Sequence, residues 1–380
     1  MKVLQVGKFY PIRGGVEKVM WDLTSHLPAA GVDCDMLCAI LPADGPDPED
    51  APYARSEAGT LVFSLPGGGR VFCVKAWAKK AATMLSPAML RWLRKHGGEY
   101  DIVHIHHPDP MAALSLRFSG FKGKVVLHWH SDILSQKGML LLYKPLQRWL
   151  IRRADVVVGT TPVYIKSSPW LQDYQKKCTF VPIGIEAMPP GDASSVRLRH
   201  ACKVMVLSVG RLVPYKGFTH LVEAAAWLPE GWKVVIGGEG PLRKELEEQI
   251  RARGLQGKVA LEGYLPQEQL PSYFAACDAF VLSSVMKTEA FGIVQIEAMS
   301  LGKPVVATTV EGSGMAWVNA HGESGLNVPP GDARALAAAL MDVVAGRERY
   351  GKAARERFRE LFTTERMIEK IKRIYEAQME

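Results

Sequence analysis

Short apolar runs rich in β-branched residues alternate with helix-like segments along most of the chain. The first series of predicted strands covers residues 2–7, 33–39, 101–106, 124–130, 154–160 and 178–184. The second series covers residues 204–210, 232–238, 259–264, 279–284 and 304–308. Alternation of this kind favours parallel sheets covered by helices on both faces.

The two series are separated by EAMPPGDASS (186–195), which has the composition of a linker. We therefore predict an α/β protein with two Rossmann-like domains, at residues 1–187 and 196–361. Ligands of parallel sheets bind beyond the carboxyl ends of the strands. A cleft between the two domains is thus the expected active site.

Composition and short motifs argue against several classes of protein. No apolar run approaches the roughly 18 residues of a membrane-spanning helix, and the N-terminus lacks the pattern of a secretory signal. We therefore expect a cytosolic protein. The six cysteines show no metal-binding spacing, and the dinucleotide fingerprint G-x-G-x-x-G is missing, which disfavours a nicotinamide or flavin dehydrogenase.

Positive charge is concentrated in the first half of the chain. Residues 1–187 hold 23 Lys and Arg against 16 Asp and Glu, a net +7. Residues 70–95 contain seven cations and residues 137–153 contain five, interleaved with aromatic and aliphatic residues and without one acid. This pattern is typical of segments at an anionic membrane surface. An ordinary helix with a buried and a solvated face is the alternative, and no nucleic-acid-binding motif is recognisable.

The stretch TEAFGIVQIEAM (288–299) places two glutamates around a predicted helix start. The first turn of that helix presents unpaired backbone N–H groups and a positive dipole end, and Gly292 permits close approach of a ligand. Such a helix start suits a diphosphate. Glu289 precedes the helix and Glu297 lies one turn inside it, so both can accept hydrogen bonds from ligand hydroxyls. A pair of acid–base carboxylates is the rival interpretation.

Two other loops have features of phosphate sites. VGRLVPYKG carries Arg211 and Lys216 just after a predicted strand, and two cations there fit a diphosphate. Gly14 and Gly15 precede the first predicted helix, where glycine lets a phosphate approach the backbone.

A group of histidines follows or lies within two predicted strands, together with one aspartate: His104, His106, His107, His128, His130 and Asp132. A zinc site is conceivable, but two His-x-His pairs in strands are weak evidence for metal. We interpret some of these residues as scaffold and one or two as lining the cleft, and we predict no metal.

Together these motifs resemble those of the retaining GT-B glycosyltransferases of family 4. The matches are GGVE after the first strand, HSD at 130–132, VPIGIE at 181–186, GRLVPYKG, GGEGPLR and the E-x7-E element EAFGIVQIE. They lie in order over nearly the whole chain. The resemblance implies a GT-B fold in which a C-terminal helix, at about 362–380, crosses back onto the N-terminal domain.

The resemblance also implies a role for each site residue. Arg211 and Lys216 would bind the donor diphosphate. Glu289 would bind hydroxyls of the transferred sugar and Glu297 the ribose, while Tyr264 and Leu265 would border the base. His130 would contact the sugar or the leaving group. Backbone groups would complete the donor site, from Gly14, Gly15, Phe291, Gly292, Ile293 and Val294. No cofactor or catalytic metal is implied.

Within the family, the motifs are most similar to bacterial mannosyl- and rhamnosyltransferases of O-antigen and polysaccharide assembly. This implies a GDP-mannose or GDP-rhamnose donor and a polyprenyl-diphosphate-linked glycan acceptor at the inner face of the cell membrane. A UDP-sugar donor and a GT-B-fold epimerase are the alternatives. The sequence EGSGMAW (311–317) departs from the proline-containing turn more usual in relatives. A phosphorylase or an inactive lipid-binding module fits the motifs less well.

Overall fold

The strands and helices of the chain divide into two α/β units. The computed structural model describes residues 1–10, 14–42, 44, 54–57, 59–80, 83–133 and 137–380, with the backbone alone for Phe9 and 137–142. One unit consists of Met1–Gly184 and Thr364–Glu380, and the other of Ile185–Thr363. The C-terminal segment therefore belongs to the same unit as the N-terminal half of the chain.

The first unit is built on a nine-stranded sheet in the order β11-β10-β9-β8-β1-β2-β5-β4-β3, and β6 pairs with β7 as a separate hairpin. Its strands are β1 (Lys2–Phe9), β2 (Asp33–Ile40), β3 (Arg55–Glu57), β4 (Thr60–Ser64), β5 (Arg70–Lys75), β6 (Ala78–Lys80), β7 (Thr83–Leu85), β8 (Ile102–His107), β9 (Lys124–Trp129), β10 (Val156–Gly159) and β11 (Cys178–Phe180). Its helices are α1 (Gly15–His26), α2 (Pro87–His96), α3 (Pro110–Ser119), α4 (Lys137–Arg153), α5 (Pro162–Ser167) and the C-terminal α14 (Thr364–Met379).

Pairing is parallel from β11 to β5, and antiparallel where β4 and β3 extend the edge. All six residues of β8 are buried, because strands of a parallel sheet are covered on both faces. Histidines occupy three of those six positions. The centre of this unit is therefore polar at the point where β1, β8 and β9 adjoin.

The second unit is built on a six-stranded parallel sheet in the order β14-β13-β12-β15-β16-β17. Its strands are β12 (Val204–Val209), β13 (Trp232–Gly237), β14 (Val259–Gly263), β15 (Ala279–Leu282), β16 (Val305–Thr308) and β17 (Gly325–Val328). Its helices are α6 (Ala193–His200), α7 (Phe218–Ala225), α8 (Arg243–Ala252), α9 (Leu270–Ala276), α10 (Ile293–Ser300), α11 (Met315–Val318), α12 (Ala333–Ala345) and α13 (Arg347–Leu361). One aliphatic core, which includes Val206, Leu221 and Leu340, joins the sheet to α7 and α12.

In each sheet, two neighbouring parallel strands mark a place where the strand order reverses. In the second unit the chain builds outwards from β12 to β13 and β14, and then returns to place β15 on the other side of β12. In the first unit the same reversal separates β1 from β8. Loops that leave neighbouring strands at such a point diverge above and below the sheet, which opens a crevice for a ligand.

The predicted α/β class is confirmed, and all eleven predicted strands are present. The sequence interpretation missed β3 to β7 and β17, among them the six-residue internal strand β5. The basic segment 70–95 is not one amphipathic helix: it consists of the core strand β5, the hairpin of β6 and β7, and α2. The last residues of the predicted linker form the first turn of α6.

A glycine between β12 and α7 is required by the backbone of the neighbouring loop. Gly217 has φ +67°, and a Cβ atom there would lie 2.1 Å from the backbone oxygen of Ser283. We expect Gly217→Ala to lower the free energy of unfolding by about 3 kcal/mol, because left-handed strain adds to this collision. Urea unfolding followed by circular dichroism measures the loss.

Gly254 is the matched control, since it has φ +66° in the same unit but no neighbouring atom within 4 Å of the place that a Cβ atom would occupy. Gly254→Ala should cost only about 1 kcal/mol, the strain of a left-handed alanine. Equal losses for the two variants would contradict a steric requirement at Gly217.

Candidate functional site

Lys216 lies at the carboxyl end of β12, in a turn that the surrounding backbone holds in place. The turn spans Pro214–Lys216, and the backbone oxygen of Lys216 accepts a 3.0 Å hydrogen bond from Ser283 Oγ. The lysine is 9% exposed, and its side chain passes beside Gly210, where a Cβ atom would lie 3.2 Å from Lys216 Cε. Packing along most of the Lys216 side chain therefore fixes the direction of its ammonium group.

The partner of this ammonium group is Glu289, which follows β15. Lys216 Nζ lies 2.5 Å from Glu289 Oε2, and both side chains are largely buried. The two residues meet because β12 and β15 are neighbouring parallel strands, with Leu207 opposite Phe280. Sequence analysis placed both residues in the donor site, and the structure brings them together at the strand-order reversal.

The loop that carries Glu289 is held by hydrogen bonds from EGSGMAW (311–317), a segment without proline. Ser313 Oγ donates a 2.5 Å hydrogen bond to the backbone oxygen of Glu289. The backbone N–H of Gly314 donates to the oxygen of Ala290 at 2.9 Å. This segment therefore positions the Glu289 loop without a proline.

The predicted helix start is present at Gly292, which has φ +77° and directly precedes α10. Ile293 and Val294, the first two residues of α10, are partly exposed. Phe291 is buried at 4% exposure and packs edge-on against Phe362, with ring centroids 6.0 Å apart. Phe291 therefore contributes a fixed backbone, and its ring belongs to the core.

Glu297 lies on α10 and is poorly solvated. Burial raises the pKa of Glu297 to about 7, although the positive charge of Lys216 acts in the opposite direction. A carboxylate with so little water around it destabilises the unliganded protein near neutral pH. It is also ready to accept hydrogen bonds from hydroxyl groups that replace the missing water.

The remaining predicted residues of this unit lie at its surface or support it. Arg211 is exposed and forms no ion pair within the described residues, so its charge is available to an anion. Tyr264 is 73% exposed, whereas Leu265 is 8% exposed and packs against Gly237. Tyr264 thus offers a free aromatic face, and Leu265 holds the loop beneath it.

In the first unit, the predicted glycines lie at the start of α1. Gly14 is the N-cap residue of α1 and Gly15 its first residue, and both are exposed. A Cβ atom on Gly14 would lie 2.4 Å from Glu17 Oε2, so the buried carboxylate of GGVE occupies the space of a side chain. The preceding residues 11–13 lie outside the described structure.

Four histidines form a stack in the centre of the first unit: His104, His106, His128 and His130. The rings of His128 and His130 have centroids 4.1 Å apart and planes within 9° of each other. All four are at most 5% exposed. His107 points to the opposite face of β8 and stacks on Trp129 at 3.8 Å. The predicted histidine group is thus divided between the two faces of the sheet.

Burial keeps these imidazoles neutral. It lowers the pKa of His128 and of His107 to about 3, with Lys8 adding to the effect at His107. Burial also lowers the pKa of His104, His106 and His130 well below the ordinary value, and the neighbouring rings act in the same direction. A neutral imidazole carries one N–H donor and one acceptor, so its hydrogen bonds define the tautomer.

A chain of hydrogen bonds connects part of this stack to α14. His130 Nε2 lies 2.9 Å from His106 Nδ1, and His106 Nε2 lies 2.8 Å from Gln5 Oε1. Gln5 Nε2 donates to Tyr375 Oη at 2.9 Å, and Tyr375 Oη lies 2.6 Å from His104 Nδ1. We call Tyr375, Gln5, His106 and His130 the relay.

The geometry of the stack is poor for a metal ion, although ring nitrogens of His104, His106 and His128 lie within 4.8 Å of one another. Both nitrogens of His106 are used in the relay. The lone pairs of stacked rings also lie in nearly parallel planes and do not converge on one point, as metal ligands must. Coordination would require the rings to turn and the relay to break.

Asp132 of the HSD motif does not join the stack. Its Oδ1 accepts hydrogen bonds from Trp129 Nε1 at 3.0 Å and Ser168 Oγ at 2.7 Å, and its backbone N–H donates to Tyr164 Oη at 2.8 Å. The aspartate therefore anchors the loop that carries His130.

Sequence analysis missed Gln5 and Tyr375. Gln5 gave a usable signal, because a polar residue inside the apolar run KVLQVG must find a partner if it is buried. The sequence gives no comparable indication for Tyr375, because its burial depends on how α14 packs within the first unit.

Solved structures share this fold over the whole chain. The sucrose-phosphate synthase of Thermosynechococcus elongatus aligns with a TM-score of 0.75 at 23% identity, covering 100% of this chain and 99% of that one. Anabaena HepE in complex with UDP aligns with a TM-score of 0.77 at 21% identity, covering 99% and 100%. The protein therefore has the GT-B fold of glycosyltransferases, as predicted.

Sequence comparisons identify the family. Residues 13–186 match Glycosyltransferase Family 4, and residues 197–357 match Glycosyl transferases group 1. The O-antigen chain mannosyltransferase C of Escherichia coli is 31% identical over 391 residues, covering 100% of this chain and 99% of that protein. The D-rhamnosyltransferase WbpZ of Pseudomonas aeruginosa is 31% identical over 372 residues, covering 96% and 92%. The chain therefore belongs to glycosyltransferase family 4 and is a hexosyltransferase. This confirms the predicted family and enzyme class.

The raised pKa of Glu297 predicts a pH-dependent effect of its replacement. Between the unfolded pKa of about 4.5 and the folded pKa of about 7, the folded protein binds more protons, so this group lowers stability as pH rises. Glu297→Gln should therefore stabilise the unliganded protein at pH 8 relative to pH 5, by up to about 3 kcal/mol. Urea unfolding of both proteins at each pH measures the difference.

Taking the difference between variant and wild type removes the contribution of the buried histidines, which titrate in both proteins. A stability difference that stays constant from pH 5 to pH 8 would show that Glu297 is ionised normally.

Proposed function

We propose that this protein transfers a mannosyl or rhamnosyl group from a GDP-sugar, with retention of anomeric configuration, to a lipid-linked glycan in O-antigen or surface polysaccharide synthesis. The observation that carries the proposal is the buried ion pair of Lys216 and Glu289 at the strand-order reversal, in a chain with full-length similarity to a mannosyltransferase and a D-rhamnosyltransferase. The predicted activity in polysaccharide synthesis is supported by the same relatives.

The donor diphosphate is assigned to the region between Lys216 and the start of α10. Lys216 and Arg211 supply two positive charges, and the start of α10 supplies backbone N–H groups beside Gly292. Charge accumulates on the diphosphate as the glycosidic bond to the sugar breaks, so preorganised donors there stabilise the transition state. In retaining transfer of this kind, the leaving phosphate itself assists removal of the acceptor proton.

The two glutamates are assigned to opposite ends of the donor. Glu289 accepts hydrogen bonds from the transferred sugar, and its contact with Lys216 orients the carboxylate. Glu297 binds the ribose, whose hydroxyls compensate for its poor solvation. The exposed ring of Tyr264 is suited to stack beside the base. His130 contacts the transferred sugar or the leaving group.

The acceptor side of the proposal concerns the two basic segments of the first unit. In segment 70–95, Phe72 and Trp92 pack on each other at 4.8 Å and Met84 is buried, so they are not the membrane-contacting residues expected from sequence. Trp77 is 73% exposed and Leu85 is 43% exposed, on the hairpin of β6 and β7, where Lys79 and Lys80 are also exposed.

We assign this hairpin to an anionic membrane surface, because exposed aromatic and cationic side chains combine there. The other segment, 137–153, is the helix α4, on which Arg148 and Arg152 are exposed. Among the described residues, no helix has both the length and the apolarity needed to cross a bilayer. A peripheral position at the inner face of the cell membrane is consistent with a polyprenyl-diphosphate-linked acceptor.

A screen of nucleotide sugars tests the proposed function. Purified protein with a polyprenyl-diphosphate-linked glycan should release GDP from GDP-mannose or GDP-rhamnose and form a product of retained configuration. Faster turnover of UDP-sugars would contradict the proposed donor, and a C2-inverted nucleotide sugar as product would favour the epimerase.

Lys216→Ala should lower kcat/KM by at least about 100-fold, because a charge-assisted contact to the leaving group is lost. Lys244→Ala on α8 is the matched control, since that lysine is exposed and lies outside the proposed site. Circular dichroism of both variants checks that the fold is retained. Near-wild-type turnover of Lys216→Ala would overturn the site assignment.

Membrane association is tested with liposomes that contain anionic lipid. The triple variant Trp77→Ala, Lys79→Glu, Lys80→Glu should bind at least about ten-fold more weakly, since each basic residue near such a surface contributes about 1 kcal/mol. Cosedimentation measures the bound fraction. Trp227→Ala removes an exposed tryptophan from the second unit and serves as control. Unchanged binding of the triple variant would show that the hairpin is an ordinary solvated surface and does not contact the membrane.

A further inference from the structure

The relay connects a residue of the C-terminal helix to the histidine of the HSD motif. Tyr375, Gln5 and His106 are all fully buried, and His130 is 5% exposed. The relay runs from α14 through β1 and β8 to the loop after β9. Tyr375, Gln5 and His106 have no exposed surface, so they can act on a substrate only through His130.

The orientation of the Gln5 amide gives the relay a direction. Gln5 Nε2 has two hydrogens and two neighbours that can accept them, Tyr375 Oη at 2.9 Å and Cys34 Sγ at 3.4 Å. Gln5 Oε1 faces one donor, His106 Nε2, at 2.8 Å. If the amide were reversed, one of its N–H groups would have no acceptor among the described residues. A buried donor without an acceptor is costly, so the reversed orientation is disfavoured.

This direction determines where each proton lies. His106 must carry its proton on Nε2 to donate to Gln5 Oε1, and its Nδ1 is then an acceptor. His130 must in turn donate from Nε2 to His106 Nδ1. His130 Nδ1 is left without a proton, and it is buried with no hydrogen-bond partner among the described residues. At the other end, Tyr375 Oη accepts from Gln5 Nε2 and lies 2.6 Å from His104 Nδ1.

We propose that Gln5, oriented by Tyr375 of the C-terminal helix, is a positioning residue that holds His130 as the tautomer protonated at Nε2. His130 then carries a bare Nδ1. This atom is buried in the unliganded protein, so the His130 ring must shift slightly before Nδ1 accepts a hydrogen bond from a hydroxyl of the transferred sugar. The contact with the sugar rests on the proposed function, whereas the tautomer itself does not. Tyr375 gives the return of the C-terminal helix to the first unit a chemical role in addition to its packing.

The tautomer is measured directly in the unliganded protein. Protein with ¹⁵N-labelled histidine is recorded in long-range ¹H–¹⁵N spectra, and the signals of His130 are identified by their loss in His130→Asn. In the wild type we expect a protonated-type shift for Nε2 and an unprotonated-type shift for Nδ1. In Gln5→Leu both shifts should move towards the intermediate values of a tautomer mixture. A wild-type His130 protonated at Nδ1, or a Gln5→Leu variant with unchanged shifts, would overturn the proposal.

Tyr375→Phe is the second variant, because it keeps the buried ring if Gln5→Leu fails to fold. It should produce the same change in the His130 shifts, and it should lower kcat about ten-fold, the effect of losing one well-oriented hydrogen bond, with KM for the donor little changed. Tyr100→Phe removes another buried tyrosine hydroxyl, which donates to Asp35 at 2.8 Å, and should alter neither kcat nor the His130 shifts.

The prediction about activity and the prediction about the tautomer can fail separately. If the wild type transfers sugar from no nucleotide sugar, the proposed function fails and the spectra still decide the tautomer. If the wild type is active and Tyr375→Phe changes the spectra without changing kcat, His130 Nδ1 does not act on the sugar. An equal loss of kcat in Tyr100→Phe would identify a general loss of packing as the cause.

Discussion

The pairing of β12 with β15 is the contact on which the candidate donor site depends. The two strands are separated by about 70 residues of chain, yet they are adjacent because the sheet reverses its order between them. The loop after β12 carries Lys216 and the loop after β15 carries Glu289, so strand pairing brings the opposite charges to 2.5 Å. Close backbone approach supports this arrangement, since Gly217 fits beside Ser283 only without a side chain. The ion pair is thus a consequence of sheet topology, and removal of water around it strengthens its field.

The two units place polar groups at their strand-order reversals in different ways. The second unit concentrates charge, with Lys216, Glu289 and the poorly solvated Glu297. The first unit stacks neutral imidazoles of β8, β9 and the loop after β9, and uses an amide of β1 and a phenol of α14 to satisfy part of the stack. Burying such groups is unfavourable unless they are hydrogen-bonded, so their presence at these positions favours a functional origin over a structural one. The charged groups of the second unit suit an anionic donor, and the neutral imidazoles of the first unit suit uncharged sugar hydroxyls.

Relatives and structure support the proposal at different levels. Full-length similarity to a mannosyltransferase and a D-rhamnosyltransferase makes the chain a hexosyltransferase of the same family. The structure adds the way in which the Glu289 loop is held: Ser313 and Gly314 donate hydrogen bonds to the backbone oxygens of Glu289 and Ala290. Exposure also identifies which residues of the basic segments can reach a membrane. Trp77 is available, whereas Phe72 and Trp92 are engaged with each other.

The sequence by itself determined the α/β class, the positions of eleven strands and the motifs around Lys216, Gly292 and Glu289. It did so because strand and helix periodicity, glycine and linker composition are local properties. Tertiary structure alone decided three things. An edge strand such as β3, whose three residues are all exposed, has no apolar run that would reveal it. The basic segment 70–95 became a core strand, a hairpin and a helix, because burial of its apolar residues depends on neighbours far along the chain. Gln5 and Tyr375 joined the histidines for the same reason: 370 residues separate them, and only packing of α14 against β1 brings an amide and a phenol together.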